Sequence, residues 1–457
     1  MSRRGGTKKV TARELAMDVL TQVEQEGAYS NLLLNSALNK AVLEKGDAGL
    51  ATELVYGTIA RMNTLDYFLD RFVKKGLAKL QPWVRSLLRL SLYQILYLDR
   101  IPEHAVVSEA VNLSKKRGHQ GISGMVNGVL RSVLRERSQL LVPDDLPPAE
   151  RISLQHSHPL WMVKRWVKQY GEEATEDICA ANNAPPPVSV RVNTTMISRD
   201  QMLNEMMEAG HTAVPSEVSP YGIVVQSGGN MAYTEWYREG MISIQDESSM
   251  LVAEMVEPHP GMTVLDCCAA PGGKTSHIGE LMKDEGRIIA NDLHSHKQKL
   301  IADQAERLGL SSITSVTGNA LDLPNIYEDN SFDRVLLDAP CSGLGVIRRK
   351  PDLKWVKTPE DAGAIAELQA KLIHAAAGLV KPGGLLVYST CTMESRENEG
   401  IIEAFLASRS DYAIEPDPEH FSEVIRERAL SRGGGIQILP QHFHSDGFFI
   451  ARLRRIL

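Results

Sequence analysis

Between Thr11 and about Arg137 apolar residues return at three- and four-residue intervals, as in Leu15, Val19, Leu20 and Val23, with little period-two alternation. This spacing predicts an all-helical domain over residues 1–140. Pro102-Glu103 opens one of its helices, Lys115-Lys116-Arg117-Gly118 closes it with a basic last turn and a glycine stop, and Val126-Asn127-Gly128-Val129-Leu130-Arg131 opens another. Four prolines between Leu141 and Pro159 interrupt any periodicity and predict a linker over 141–159. Trp161 to Ala181 reads as helical, ending at Asn182-Asn183 before Pro185-Pro186-Pro187. Val188-Ser189-Val190-Arg191-Val192 then alternates as a strand with one buried face, so a small α+β module fits residues 160–240. From Met262 the rhythm changes. Val264-Leu265, Arg287-Ile288-Ile289-Ala290, Val335-Leu336-Leu337 and Leu385-Leu386-Val387-Tyr388 read as strands buried on both faces between helical segments, which predicts an α/β domain with a parallel sheet over 241–457. Ligands of such sheets collect at the carboxyl ends of the strands.

A length of 457 residues accommodates about three folding units, and 43% hydrophobic with 23% charged residues excludes a disordered or fibrous chain. The richest apolar run, Leu87 to Leu98, is broken by polar residues before the roughly 18 that a bilayer span requires, so no membrane association is expected. Arg3-Arg4 begins like an export signal, but Lys8, Lys9, Arg13 and Glu14 follow where an apolar segment would stand, and a cytoplasmic monomer is expected. Five cysteines without a Cys-x-x-Cys pair encode neither a disulfide framework nor a zinc site. The pairs His156/His158, His294/His296 and His442/His444 have no further ligand in register, so no metal is expected. Charge is polarised: residues 1–140 carry +8 and the remainder −15, which directs the first domain toward a polyanion such as RNA or DNA.

The chemistry gathers at predicted strand ends. Asp266-Cys267-Cys268-Ala269-Ala270-Pro271-Gly272-Gly273-Lys274-Thr275 follows the first strand, its glycines suited to close backbone approach and Thr275 to capping the next helix. It is not a P-loop, because Cys268 stands where the first glycine is required, and it contains no Gly-x-Gly-x-x-Gly. Asp292 lies 19 residues past Gly273 at the end of the next strand, where a carboxylate accepts from ribose hydroxyls, so the loop reads as an adenosine site. Asp338-Ala339-Pro340-Cys341 and Ser389-Thr390-Cys391 end two further strands on the same sheet edge. A pyrimidine C5 is too weakly nucleophilic to take a methyl group until a thiolate adds at C6, and cysteine both ionises near neutral pH and leaves again by elimination. Asp338 could accept from the cytosine N4 amine and, if burial keeps it protonated, donate to N3.

Two resemblances follow from these residues. Ile101-Pro102, Val106, Glu109-Ala110-Val111, Lys115 and Val126 to Arg131 resemble the NusB-type RNA-binding helical domain. The Pro340-Cys341 and Thr390-Cys391 pair, with the Asp266 to Thr275 loop, resembles the S-adenosylmethionine-dependent RNA cytosine-5 methyltransferases; together the two domains are similar to the bacterial small-subunit (16S) ribosomal RNA enzymes of the Fmu/Sun type. The resemblance implies a Rossmann-like methyltransferase domain, Cys391 as nucleophile and Cys341 as an aid to product release. It also implies cofactor contacts from Cys268, Ala269, Ala270, Pro271, Gly272, Gly273, Lys274, Asp292, Asn319 and Asp338. Asn319 stands where the family commonly has Asp, yet its amide oxygen can still accept from an adenine amine. Gln245-Asp246 and Asp446-Gly447-Phe448-Phe449 also match family motifs and read as scaffolding. Arg348-Arg349-Lys350-Pro351-Asp352-Leu353-Lys354-Trp355 interleaves cations with an aromatic ring, and with Arg191 of the small module supplies candidate contacts to RNA phosphates and bases. A transfer-RNA methyltransferase and a non-catalytic RNA-binding assembly factor are the alternatives; intact Cys341, Cys391 and Asp338 weigh against the second, and the NusB-type domain against the first.

Overall fold

A computed structural model describes residues 10–41, 43–418 and 421–456. The Arg3-Arg4 and Lys8-Lys9 pairs lie outside the described residues. The chain parts into two compact units, Met1–Asn183 with Lys350–Val356, and Ala184–Arg349 with Lys357–Leu457. The first boundary thus falls inside the small module expected over 160–240.

The described part of the first unit contains helices and no strand. Helix Pro82–Tyr97 is its spine: Pro82 presets the first turn, and Leu87, Leu88, Leu90 and Leu92 are buried among Leu15, Leu54, Leu65, Val126 and Leu130. Helix Glu103–Arg117 occupies the span predicted for it. The next helix, Gln120–Arg135, starts well before Val126, because the His119 ring accepts from the Gly121 N–H (3.2 Å) and caps it. The expected linker contains helix Pro148–Gln155: the prolines read there as breakers place Pro148 at a helix start, where its missing N–H costs nothing. The single helix expected from Trp161 is two, Leu160–Tyr170 and Glu172–Asn182, divided at Gly171 in a positive-φ conformation (+87°).

The second unit has two sheets. β1 (Val188–Val192), β2 (Thr212–Pro215), β3 (Gly222–Ser227) and β4 (Ile242–Ile244) form an antiparallel sheet in the order β2-β3-β1-β4. β1 was expected to bury one face, yet Ser189, Val190, Arg191 and Val192 are all buried. The larger sheet contains β5 (Thr263–Asp266), β6 (Arg287–Asp292), β7 (Ile313–Thr317), β8 (Phe332–Asp338), β9 (Val380–Thr390), β10 (Tyr412–Ile414), β11 (Leu430–Arg432), β12 (Gly435–Ile438) and β13 (Phe448–Arg455). Its order is β11-β12-β13-β9-β8-β5-β6-β7, with β10 also on β13. The strands β9-β8-β5-β6-β7 run parallel, whereas β10 to β13 pair antiparallel, so the sheet is mixed where a parallel one was expected. Lys381-Pro382-Gly383-Gly384 is a bulge inside β9, whose partners on β8 jump from Val380↔Phe332 to Leu385↔Arg334.

Alternate strand residues face opposite layers. Leu265, Val335, Leu337, Leu386 and Tyr388 pack with Leu372 and Ile373 of helix Pro359–Gly378; Val264, Leu336, Leu385 and Val387 pack with Leu251 and Val252 of helix Glu247–Val256. Glu254 of that second helix is buried in the same layer, with the Ser219 hydroxyl donating to it at 2.5 Å, and burial pushes its carboxyl up to about 8. The folded chain then keeps a proton that the unfolded chain releases above about 4.5, so stability falls as pH rises through that window. Glu254→Gln, which keeps the acceptor without the charge, is expected to melt higher than the parent above pH 8, with the gap closing by about pH 5. A gap of constant size in melts across that pH range would remove ionisation of Glu254 as the cause.

Candidate active site

Connectivity leaves β5 upward to β6 and β7 on one side, and β8 and β9 lie on the other, so the switch in strand order falls between β5 and β8. Asp266, Asp292, Asp338 and Thr390 end β5, β6, β8 and β9 along that edge.

The β5 loop turns tightly. The Ala269 N–H donates to the Asn291 carbonyl (2.7 Å), and the Gly272 N–H returns to the Ala269 carbonyl (2.7 Å). Gly272 sits at φ +103°, where a Cβ would lie 3.3 Å from the Ile301 Cα, so glycine is required both for the turn and for the close approach. Gly272 also caps helix Gly273–Leu281, with no side chain satisfying the helix's first N–H groups. The expectation that Thr275 caps this helix is corrected: Thr275 lies within the first turn and its hydroxyl donates to buried Asp266 (2.7 Å), whose carboxyl burial pushes up to about 7. Asp292, nearly buried, accepts from the Ala270 N–H (3.3 Å) and the His294 N–H (3.2 Å), which orients its carboxylate beside the loop. Exposed Asn319 follows β7 and the Gly318 N–H bonds the Asp292 carbonyl (3.0 Å), while the Asn319 amide oxygen accepts from Leu321 N–H (3.1 Å). A glycine cradle, an uncapped helix start and a fixed carboxylate suit an adenosine with a ribose diol. Cys268 lines the same turn as a neutral thiol, raised by burial first and then by the surrounding carboxylates.

The reacting groups meet at the ends of β8 and β9. Cys341 Sγ and Cys391 Sγ are 3.3 Å apart, and both residues are partly exposed. Cys391 is held below the ordinary thiol range, foremost by the hydrogen bond it shares with Cys341, with the Lys274 ammonium helping against burial and Asp338. Cys341 is raised, foremost by the same hydrogen bond, and burial adds to this. Asp338 accepts from Lys274 Nζ (2.6 Å) and from the Ser389 hydroxyl (2.7 Å). Burial alone would lower the Lys274 ammonium, but the charge and hydrogen bond of Asp338 outweigh it and hold it above the usual range. Ion-paired with Lys274, Asp338 presents its oxygens as acceptors, and the charged donor beside it is Lys274.

Of the residues that support this cluster, Asn398 and Gly345 have no evident signature in the sequence, and Gly447 lies in the Asp446 to Phe449 motif. Asn398 accepts from the Thr390 hydroxyl (2.6 Å) and donates to the Thr392 carbonyl (3.0 Å), pinning the chain on both sides of Cys391. The Gly345 N–H donates to the Cys391 carbonyl (2.9 Å), and the Gly447 N–H to the Gly345 carbonyl (2.8 Å).

Most residues read as RNA contacts are placed elsewhere, which corrects that expectation. Arg191 is fully buried: Nε and Nη2 pair with Glu280 (2.9 and 2.8 Å), Nη2 also donates to Ser276 Oγ (3.0 Å), and Nη1 donates to the Gly273 carbonyl (2.8 Å) and to Gln245. It clamps the start of helix Gly273–Leu281 instead of facing solvent. Arg348 is buried on the carbonyls of His444 and Pro440 (3.2 Å to the latter), and Arg349 bridges Asp246 and Asp446. Within the first unit, Lys354 is buried with Nζ donating to the carbonyls of Ala60 and Ser157 (3.0 Å each) and to Asn183 Oδ1 (2.7 Å). Desolvation with no carboxylate partner drives its ammonium well below the ordinary range. Trp355 is partly buried against the helical core and donates to the Ile59 carbonyl (2.8 Å). Lys350 alone of the five cations is exposed. No group of three or more His, Cys, Asp or Glu able to hold a metal occurs among the described residues, and no described helix is long and apolar enough to cross a membrane.

Sequence profiles of three families match consecutive parts of the chain: the NusB family over residues 10–135, the ferredoxin-like domain of RsmF/B-like methyltransferases over 158–232, and the 16S rRNA methyltransferase RsmB/F family over 253–454. The probable ribosomal RNA small subunit methyltransferase B of Bacillus subtilis is 46% identical over 98% of this chain and 99% of its own length. Its counterpart in Synechocystis is 38% identical over 98% and 100%. The crystal structure of PH0851 superposes with a TM-score of 0.79 at 27% identity, covering 98% of this chain and all of that one. The three families thus match the helical domain, the small antiparallel module and the Rossmann-like sheet in turn, and the chain belongs to the ribosomal RNA small subunit methyltransferase B family.

Proposed function

We propose that the chain methylates C5 of a cytosine in 16S ribosomal RNA through a covalent adduct between Cys391 and C6. The observation that carries this reading is the 3.3 Å sulfur pair at the ends of β8 and β9, in which Cys391 is held below the ordinary thiol range and Cys341 above it. The names of the full-length relatives support ribosomal RNA as the substrate class, and the NusB-type domain fits it. The cofactor is S-adenosylmethionine, which supplies the methyl group when bound; Cys268 to Lys274, Asp292 and Asn319 would hold it.

The chain's own residues do the rest. The Cys391 thiolate adds to C6, and the electron pair of the C5–C6 bond makes C5 nucleophilic. Asp338 accepts from the cytosine amine, and Lys274, fixed at 2.6 Å from it, offers a proton donor to the charge that develops on the ring. After methylation water takes the C5 proton, the C–H electron pair re-forms the C5–C6 double bond and the Cys391 sulfur leaves as thiolate; the Cys341 S–H stabilises that leaving group. A cytosine must leave its stack to reach these groups, so single-stranded or loop RNA is the substrate form, and a cytoplasmic location follows from the same reading.

The test incubates the wild type, Cys341→Ala and Cys391→Ala with S-adenosylmethionine and a small-subunit ribosomal RNA transcript and resolves the products on a denaturing gel. Cys341→Ala is expected to accumulate an RNA-linked band; Cys391→Ala is expected to form none and to transfer no methyl group. The reverse pattern would make Cys341 the nucleophile, and transfer to a position other than cytosine C5 would overturn the reading altogether.

A further inference from the structure

Of the two arginines after the Cys341 loop, Arg348 is buried and Arg349 is half-buried with both of its carboxylate partners beneath the surface. Arg349 Nε donates to Asp446 Oδ2 (2.7 Å) and Nη2 to Asp246 Oδ2 (2.9 Å), while the Asp446 N–H itself reaches Asp246 (3.2 Å). Asp246 is the N-cap of helix Glu247–Val256, its carboxylate accepting from the Ser248 N–H (2.9 Å). Asp246 and Asp446 are almost wholly buried, with side chains 6% and 4% exposed. One residue earlier, Arg348 holds the carbonyls of His444 and Pro440. The chain from Cys341 to Arg349 is thus tied at its far end to a helix start and to the segment before β13, and at its middle to Cys391 through the Gly345 N–H.

We propose that Arg349, with Asp246 and Asp446, is a positioning clasp that holds the Cys341 loop against Cys391 and thereby sets the rate of product release. The inference rests on the roles assigned above to the two cysteines. Two buried carboxylates side by side repel each other, and only a planar guanidinium presents donors to both at once. Without it the carboxylates separate, the loop they anchor relaxes, and the Cys341 thiol moves from the sulfur it must assist. Attack at C6 is made by the Cys391 sulfur, whose chain β9 and Asn398 also pin on either side, whereas release is the step that the Cys341 thiol assists. Adduct formation therefore survives loss of the clasp while breakdown does not.

The experiment compares wild type, Arg349→Met, Arg349→Lys and Cys341→Ala in three measurements: S-adenosylhomocysteine binding, the RNA-linked band on a denaturing gel, and kcat against KM for RNA. Arg349→Met is expected to bind S-adenosylhomocysteine as the wild type does, to accumulate the RNA-linked band, and to lose about tenfold or more in kcat with KM for RNA nearly unchanged. Arg349→Lys is expected to recover part of kcat and to show a weaker band, and it decides the matter if the Met variant fails to bind S-adenosylhomocysteine. Adding Asp446→Asn to Arg349→Met removes one of the two repelling charges and is expected to thin the band again. A raised KM and a flatter salt dependence without the band would make Arg349 a phosphate contact and overturn the clasp. If Cys341→Ala also gives no band, the assigned cysteine roles fail first; if it gives one and neither Arg349 variant does, the clasp alone is refuted.

Discussion

Replacing Arg191 by Met is expected to destabilise the second unit by about 3–5 kcal/mol, the cost of leaving a buried carboxylate without its partner. Glu280 is buried with Arg191 as its ion-pair partner, and burial already raises its carboxyl against the pull of that guanidinium. The same substitution frees the Gly273 carbonyl and Ser276 in the first turn of the helix that begins at the adenosine loop. Denaturation midpoints and S-adenosylhomocysteine affinity should therefore fall together. The double variant Arg191→Met with Glu280→Met removes the stranded charge and should regain much of the stability, since a buried ion pair is often replaceable by apolar groups of similar size. A single variant with unaltered stability but weakened, less salt-dependent RNA binding would return Arg191 to the phosphate role first read from its charge.

Gly345→Ala is expected to lower methyl transfer by about 100-fold or more while leaving cofactor affinity near that of the parent. A Cβ at Gly345 would stand 2.0 Å from the Gly447 carbonyl oxygen and 2.8 Å from that of Cys391. Both obstacles are backbone atoms, so relief requires the loops to part, and the two rungs that join Cys391, Gly345 and Gly447 are lost with the contact. The sulfurs now 3.3 Å apart cannot stay so when one loop moves by an ångström. The adenosine loop is held by its own hydrogen bonds, from the Ala269 N–H to the Asn291 carbonyl and from the Gly272 N–H to the Ala269 carbonyl. Equal losses in transfer and in S-adenosylhomocysteine affinity would point to general unfolding instead, and unchanged transfer would show that the loops accommodate a methyl group.

Where local chemistry governs, the sequence was a sound guide. Pro102 and the Lys115 to Arg117 cluster marked helix Glu103–Arg117 because prolines and cations act within one turn of a helix end. Strand ends at Asp266, Asp292, Asp338 and Thr390 could be read because apolar runs stop where a parallel sheet meets its ligand edge. Tandem Pro147-Pro148 misled, since the same residue that breaks a helix interior starts a helix at its first position. Among the antiparallel strands, Tyr412–Ile414 and Leu430–Arg432 are too short for a periodic signal, whereas Phe448–Arg455 is buried on both faces over its first six residues and shows no alternation.

Cationic residues show the same division most sharply. Residue types and spacing alone determined the candidate chemistry: two cysteines and an aspartate at neighbouring strand ends, a glycine turn, and an acidic residue one strand on. They could not show that the two sulfurs share a hydrogen bond, because that depends on a 3.3 Å approach between residues fifty positions apart. Nor could they tell a buried arginine from a solvated one. Charge is a property of the side chain, but its use is set by what the fold brings opposite it: Glu280 for Arg191, Asp246 and Asp446 for Arg349, and three oxygen acceptors for Lys354. Those partners are distant in sequence, and only tertiary packing, which makes an unpaired buried charge too costly to keep, selects them.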